Sequence, residues 1–495
     1  MSVDAQTQQY DVEAVNSAKR RQPLYAPRRK IYPRRVNGTF RRLKWLVMLV
    51  TLTIYYATPW IRWDRGPFAP DQAVLVDLAN RRFYFFFIEI WPQEFYYVAG
   101  MLVMAGIGLF LVTSTVGRAW CGYACPQTVW VDLFLVVERA IEGDRNARMK
   151  LEAAPWTIDK IVKRVSKHGI WLLIGILTGG AWIFYFADAP TLLTDVVTFQ
   201  APLVAYTTIA LLTATTYTFG GLMREQVCTY MCPWPRIQAA MLDEHSLTVT
   251  YNDWRGEPRS RHAKKAAAAG KPVGDCVDCN ACVVVCPMGI DIRDGQQLEC
   301  ITCALCIDAC DDVMARIGKP RGLIDYMALK DESAEKTGQE GESLWRHVLR
   351  PRTLLYFGLW SAIGVGLIVA LFLRSPYDLN VTPIRNPLYV TMSDGSIRNT
   401  YELRLRNKQG EEKTFAVGVS DAAGGALDGL ELTLEGSGDA VTVAQDATYE
   451  QRVYLTAGPD SALADGAQTG LILWIEDVES GRRAAVETVF QGRGR

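Results

Sequence analysis

Five stretches of the chain carry apolar side chains almost without interruption, at about 43–60, 95–116, 169–186, 203–222 and 353–373. Each approaches the roughly 20 apolar residues that a helix needs to cross the hydrocarbon of a bilayer. The pattern predicts a polytopic membrane protein with five transmembrane helices. After the last run the period changes. "YELRLRN", "TFAVGVS", "LELTLEG", "AVTVAQ", "QRVYLTA", "LILWIED" and "AAVETVFQG" alternate or cluster β-formers between turn signals such as "NKQG" and "DAAGG". Roughly seven short strands and an all-β immunoglobulin-like sandwich are expected over 374–495. "RRFYFFFIEIWPQEFYY" is too charged for a clean span and reads as an interfacial stretch leading into the second helix.

Polar segments divide the rest: a basic N-terminus (1–42), a linker at 246–275 ending in "RHAKKAAAAGKPVGD", and a second linker at 331–352 that takes in most of "KDESAEKTGQEGES". Charge then orients the helices. Eleven Lys/Arg against three Asp/Glu precede position 45. Ahead of a membrane span such a cluster marks the cytoplasmic side rather than a nucleic-acid arm. With no small-residue cleavage site after it, the first run is expected to be an anchor. The loop 118–168 carries nine Lys/Arg, whereas 187–201 carries none and holds Asp188 and Asp195. Segments 118–168 and 223–350 are thus expected in the cytoplasm, and 61–94, 187–202 and 374–495 outside. All 12 cysteines fall on or near the cytoplasmic face. A reducing compartment disfavours disulfides, so these thiols are expected to be metal ligands or redox groups.

Eight of them form "CVDCNACVVVCPMGIDIRDGQQLECITCALCIDAC". The spacing is that of a two-cluster ferredoxin, in which the fourth cysteine of each run reaches the other cluster. One 4Fe–4S cluster is expected on Cys276, Cys279, Cys282 and Cys310, the other on Cys300, Cys303, Cys306 and Cys286, within a ferredoxin-like domain at 276–330. A zinc site would want paired Cys-x2-Cys knuckles closing one tetrahedron, and two complete four-cysteine runs argue against it. Asp311 stands where the bacterial pattern has proline.

The other four sit in "RAWCGYACPQTVW" and "REQVCTYMCPWPRIQ", 107 residues apart, each just after an apolar run. With the helices before them they make a duplicated four-helix membrane domain (43–245), two parallel repeats about an axis along the membrane normal. Cys121 and Cys125 share a helical face, as do Cys228 and Cys232. Pro126 and Pro233 suit the first turn of a new helix and push the preceding cysteine off helical geometry. Three readings stand: buried free thiols, a four-thiolate centre for a further iron–sulfur cluster or Cu(I), or redox dithiols made acidic by Arg118, Arg224 or helix N-termini. Met231 is a packing residue first and a copper ligand second. Four histidines, with only His168 near a span, disfavour haem, and no Walker loop, dinucleotide fingerprint or serine-hydrolase elbow is present.

This order of parts, with "CGYACP", "CTYMCP", the two-cluster insert, a fifth span and a cysteine-free β domain, resembles the FixG/RdxA/CcoG family of cytochrome oxidase accessory proteins over nearly the whole chain. The membrane half also looks like the NapH and NosR membrane ferredoxins, but the flavin-carrying external domain of the NosR type is missing. The resemblance implies a multi-pass protein of the bacterial inner membrane with a periplasmic sandwich. It implies work in assembly of cbb3-type cytochrome c oxidase, as a cupric reductase supplying Cu(I) through Cys121, Cys125, Cys228 and Cys232. Implied partners are oxidase subunits or a copper chaperone or transporter, a cytoplasmic electron donor and the lipid bilayer, with no nucleic acid. A quinol-coupled conduit of the NapH type and a non-enzymatic assembly scaffold are the alternatives.

Overall fold

The apolar runs become helices at Thr39–Ala57, Tyr96–Val116, Ile158–Ile183, Leu203–Thr216 and Pro351–Phe372 in the computed structural model, which describes residues 30–494 apart from 67–68, 340, 410, 422–423, 437, 439 and 446. The first 29 residues of the basic N-terminus lie outside the described residues. Two of the five helices, Tyr96–Val116 and Pro351–Phe372, are long and apolar enough to cross a membrane, with mean hydropathies of 2.0 and 2.1. The other three depart from a clean span for different reasons. Thr39–Ala57 opens on Arg41, Arg42 and Lys44, and Ile158–Ile183 carries Lys160, Lys163, Arg164 and Lys167 along its first half. Leu203–Thr216 is 14 residues long and widens into a π-helix at Tyr217–Met223.

The chain divides into two units, one comprising Met1–Val50, Val112–Gly175 and Ala214–Leu349, the other Thr51–Leu111, Ile176–Thr213 and Arg350–Arg495. In the first, strand Leu247–Tyr251 pairs antiparallel with Ile324–Ala328, closing a two-stranded ribbon behind the cysteine-rich segment. Val249, Tyr251, Leu323 and Ile324 bury against Cys276, Cys282 and Cys310. The stretch 246–275 is therefore not a simple linker: alternating β-formers in "LTVTY" find a partner 77 positions on. Similarly, Leu329–Lys336 in the second polar segment is a helix.

In the second unit, the aromatic stretch folds into a three-stranded antiparallel sheet, Val74–Asp77, Arg82–Phe85 and Ile88–Ile90. Its tight turns run through Arg81 and Phe86 at positive φ, which the composition alone did not reveal. The sandwich contains nine strands among the described residues. One sheet orders Leu430–Leu434, Thr448–Ala457, Ile397–Asn407 and Tyr377–Pro383, with Val390–Thr391 also on Ile397–Asn407; the other orders Ala440–Val443, Lys413–Asp421, Gln468–Asp477 and Arg483–Gln491. Alternation fixes its core: Ile397, Tyr401, Leu403 and Leu405 turn inward along one strand, facing Leu471, Leu473 and Ile475 from another. The two strands beyond the expected seven are Tyr377–Pro383 and Val390–Thr391, both interrupted by proline or polar positions that weaken their sequence signal.

Candidate functional site

All twelve cysteines lie in the first unit. The two ferredoxin loops are built alike. In each, the residues just before and just after the middle cysteine adopt left-handed backbone: Asp278 and Asn280 around Cys279, Thr302 and Ala304 around Cys303. None is glycine. Short helices then start at Ala281 and Leu305. The reversal turns backbone amides inward toward sulfur, and the Thr302 amide donates to Cys300 Sγ at 3.4 Å. Side chains brace the loops from outside. Arg293 donates to Asp278 (2.8 Å) and Asn280 (2.7 Å) in the first. The hydroxyls of Tyr326 (2.8 Å) and Tyr123 (3.2 Å) donate to the carbonyls of Thr302 and Cys303 in the second.

Burial raises the Cys310 thiol to about 12, with Cys282, Cys279 and Cys276 as the thiols beside it. Burial likewise raises Cys286 to about 12, beside Cys303 and Cys300. Cys306, raised further by burial, faces Cys303, Cys300 and Cys286. The fold thus gathers Cys276, Cys279, Cys282 and Cys310 as one set, and Cys300, Cys303, Cys306 and Cys286 as the other. These donor sets fit two 4Fe–4S clusters, whose iron would displace the protons that burial otherwise retains. They do not fit zinc. Tetrahedral Zn–S bonds of about 2.3 Å place sulfurs about 3.8 Å apart, and among the described residues no three cysteine sulfurs lie within 4.8 Å of one another. Cys306 also faces Cys282, so the two sets adjoin, and Cys279 is the one exposed cysteine.

The two proline-flanked pairs converge as well. Cys121 lies in the short helix Ala119–Tyr123, and Cys125 caps helix Pro126–Glu142 with extended backbone (ψ 129°). Cys228 lies in the π-helix Val227–Met231, and Cys232 ends it, again extended (ψ 125°). Both extended cysteines precede proline, as the steric rule requires. Neither pair shares one α-helical face: the Cys125 amide donates to the Trp120 carbonyl (2.9 Å) and the Cys232 amide to that of Val227 (2.8 Å), each five residues back, a wider π-type turn. Even so, Cys125, Cys121 and Cys232 all bear on Cys228, so the four thiols form one group. Gln127 joins the two repeats by donating to the carbonyls of Phe219 (2.8 Å) and Arg224 (3.1 Å). The Cys121 thiol donates to Gln238 Oε1 at 3.1 Å.

Of the three readings, the redox-dithiol one expects acidic thiols, and burial acts against it. Burial pushes Cys121 up to about 11 and Cys228 up to about 12, with Arg118 opposing it at both and the neighbouring thiols adding to it. Burial also raises Cys125, although the amides of Gln127 and Thr128 at the helix start favour its thiolate. Arg224 takes no part, because its guanidinium binds Glu138. A soft metal ion would supply the positive charge that the protein withholds.

This group sits directly on the second ferredoxin loop. Cys121 and Cys228 pack into the same cluster as Cys303, Cys286 and Ile301. Contact is closest at Gly122, where an added Cβ would lie 2.6 Å from the Ile301 carbonyl oxygen and 3.0 Å from Cys303 Cα. Backbone cannot yield as a flexible side chain can, so Gly122→Ala is expected to push this loop away and alter the spectrum of the cluster beside Cys303 more than that of its neighbour. Electron paramagnetic resonance of the reduced protein checks this; identical spectra would mean that the approach is unimportant.

Gly122, Tyr123, Tyr326, Gln238 and Arg293 were not singled out from sequence, since nothing local marks them. A buried charge network was also missed. Asp132 accepts two 2.9 Å hydrogen bonds from Arg41, with Lys44 at 3.8 Å; burial would raise its carboxyl, but the two cations bring it below the usual range.

The protein is 61% identical to the nitrogen fixation protein FixG of Rhizobium meliloti (strain 1021), over 97% of this chain and 96% of that one. The chain belongs to the FixG/RdxA family. Two proteins of Cereibacter sphaeroides in the FixG/RdxA family, RdxB and RdxA, are 62% and 58% identical, each over 95% of this chain and over 98% and 99% of their own. A 4Fe–4S dicluster domain matches residues 223–329, taking in Cys228, Cys232 and all eight ferredoxin cysteines, and a 4Fe–4S binding domain matches 98–142, taking in Cys121 and Cys125. The "IG-like fold at C-terminal of FixG" matches 367–493. As a member of the FixG/RdxA family with these domains, it is an iron–sulfur redox protein.

Proposed function

We propose that this protein is a membrane-embedded cupric reductase serving the assembly of cbb3-type cytochrome c oxidase. The observation that carries the reading is the packing of four gathered thiols against the loop of the second cluster set. When bound, the two 4Fe–4S clusters supply one-electron relay between a cytoplasmic donor and the thiols. The solvent-facing position of Cys279 makes the first set the entry, and the adjoining second set the exit. At the exit Cu(II) accepts one electron and becomes Cu(I), the soft ion that thiolate and thioether ligands hold. A pair of these thiols is enough to bind it there, since Cu(I) accepts two soft ligands, and Arg118 beside Cys121 and Cys228 offsets the negative charge of ligands that have lost their protons.

The five-span topology, with the cysteine sites in the cytoplasm and the sandwich in the periplasm, is part of this proposal. Support comes from the apolar side chains left uncovered along the helices: Leu49, Leu102, Leu173, Leu211 and Leu355 are each more than half exposed, as a lipid-facing surface requires. In the sandwich, an external face for oxidase subunits or a copper chaperone or transporter is the natural role of a domain without cysteines.

A second reading, quinol-coupled conduction, draws support from a cavity of about 480 Å³ bordered by Glu138, Lys167, His168, Trp171 and Arg224. His168 Nδ1 lies 2.9 Å from the Tyr217 hydroxyl, a pair able to exchange protons with a hydroquinone. Protein purified without oxygen, reduced and then given Cu(II) separates the two. Cu(I) appearing in step with cluster oxidation is the expected result. Clusters that stay reduced while copper stays divalent, yet oxidise when given a quinone, would replace the first reading with the second.

A further inference from the structure

The chain has four histidines in 495 residues, and two of them meet. His245, in the turn before strand Leu247–Tyr251, and His347, in the short helix Leu344–Val348, point their Nδ1 atoms at each other across 3.2 Å. Glu342 joins them, and one donor atom from each of the three lies within 4.8 Å of the others. Two segments about a hundred residues apart in sequence, one with His245 and one with Glu342 and His347, therefore converge on one point, in the first unit and outside both cysteine sites.

A hydrogen bond between two neutral imidazoles is the ordinary explanation of such a pair, and it uses one Nδ1 proton and one lone pair. Two features favour a cation instead. The spacing matches a metal's bite: bonds of about 2.0–2.1 Å to imidazole nitrogens in a tetrahedron put those nitrogens about 3.3 Å apart. Moreover, the far side of His347 is arranged as metal-binding imidazoles are. His347 is only 1% exposed. Its Nε2 is 2.7 Å from Asp331 Oδ2, yet out of line for a proper hydrogen bond. Asp331 Oδ1 also accepts the Glu342 amide at 2.8 Å, so one carboxylate steadies two of the three candidate ligands. A carboxylate behind a histidine raises the basicity of the ligating nitrogen and fixes its orientation. On the other side, Lys330 Nζ lies 2.8 Å from Glu342 Oε1, leaving the second carboxylate oxygen for a cation.

We propose that His245, Glu342 and His347 form a three-ligand site for a divalent transition-metal ion of the Zn(II) or Cu(II) class, with one position left for water. Nitrogen and carboxylate donors select borderline divalent ions, whereas the cysteine sites select iron and Cu(I). The two kinds of site are therefore distinguishable by donor atom, and this one stands whether or not the thiols reduce copper.

Zn(II), which undergoes no redox reaction, is the probe. One equivalent is added to the purified full chain and to its variant with Cys121, Cys125, Cys228 and Cys232 all replaced by serine, which removes the competing thiol group, and the zinc K-edge fine structure is recorded. Expected in the variant are nitrogen and oxygen ligands at about 2.0 Å with the outer-shell pattern of two imidazoles, and no sulfur shell at about 2.3 Å. Adding His245→Gln, at a partly exposed position, should abolish that pattern and weaken Zn(II) binding at least tenfold. Asp331→Asn should weaken it by about 10–100-fold, the usual effect of losing such a support, with iron–sulfur absorption unchanged as the check on folding. Sulfur ligands in the four-serine chain, or zinc binding indifferent to His245→Gln, overturn the proposal.

Discussion

Replacing Cys121 and Cys228 together with serine should cut Cu(II) reduction by about a hundredfold or more while the ferredoxin spectrum persists. A hundredfold corresponds to about 2.7 kcal/mol, a modest demand for removing two of the four thiols that the proposed reaction uses. The two cysteines are chosen because both pack against the second cluster set, so their loss interrupts the path at its last step. Neither belongs to the eight-cysteine ferredoxin segment. Iron counted in the same preparations then divides the readings of the four thiols. About twelve irons falling to about eight identifies a third cubane; about eight in both leaves the thiols for copper or for thiol cycling. A variant that loses the ferredoxin spectrum would show that these cysteines serve folding or cluster loading instead, and undamaged copper reduction would remove them from the reaction.

The second large effect concerns the crossed ligands. Cys310→Ala should cost the cluster held by the first run, and Cys286→Ala the cluster held by the second, each with the loss of about four irons. The identity of the lost cluster is read by comparison. In the reduced protein, the resonance missing from Cys310→Ala should be the one missing from Cys279→Ala, and that missing from Cys286→Ala should match Cys303→Ala. The grouping of Cys310 with Cys276, Cys279 and Cys282 dictates this result. If Cys310→Ala instead resembles Cys303→Ala, each run closes on its own cluster and the arrangement described above is wrong.

Some of this site can be read along the chain because its chemistry is written at short range. Cysteines three and four positions apart are brought together by a single turn, so the eight ferredoxin positions and both proline-flanked pairs stand out from spacing alone. Strand alternation marks the sandwich for the same reason. What escapes is set by partners distant in sequence. "LTVTY" looks like a linker until it meets Ile324–Ala328, and Gly122 looks incidental until Cys303 lies against it. His245 and His347 are 102 positions apart. The thiol acidity that the dithiol reading invokes is hidden for a related reason. Arg118 does face the thiols, as its place before the motif suggests, but burial is a property of the packed chain and outweighs it. The wide turn is a further case: spacing of four suggests an α-helical face, whereas both repeats close at the second cysteine with a hydrogen bond five residues back.

The four left-handed residues around Cys279 and Cys303 bear on how the protein matures. Asp278, Asn280, Thr302 and Ala304 hold a conformation that side chains with a Cβ adopt reluctantly, at a cost of order 1–3 kcal/mol in unfavourable cases. Thr302 is the worst suited, being β-branched. In a newly made chain without iron the braces from Arg293, Tyr326 and Tyr123 alone must hold these two turns, and most of the thiols they gather are at least partly buried and mutually unfavourable once ionised. Shaping the loops and receiving the clusters are then one event, and iron supply becomes a checkpoint on folding: chains made during iron scarcity would be cleared by proteolysis rather than stored as an empty form awaiting its metal.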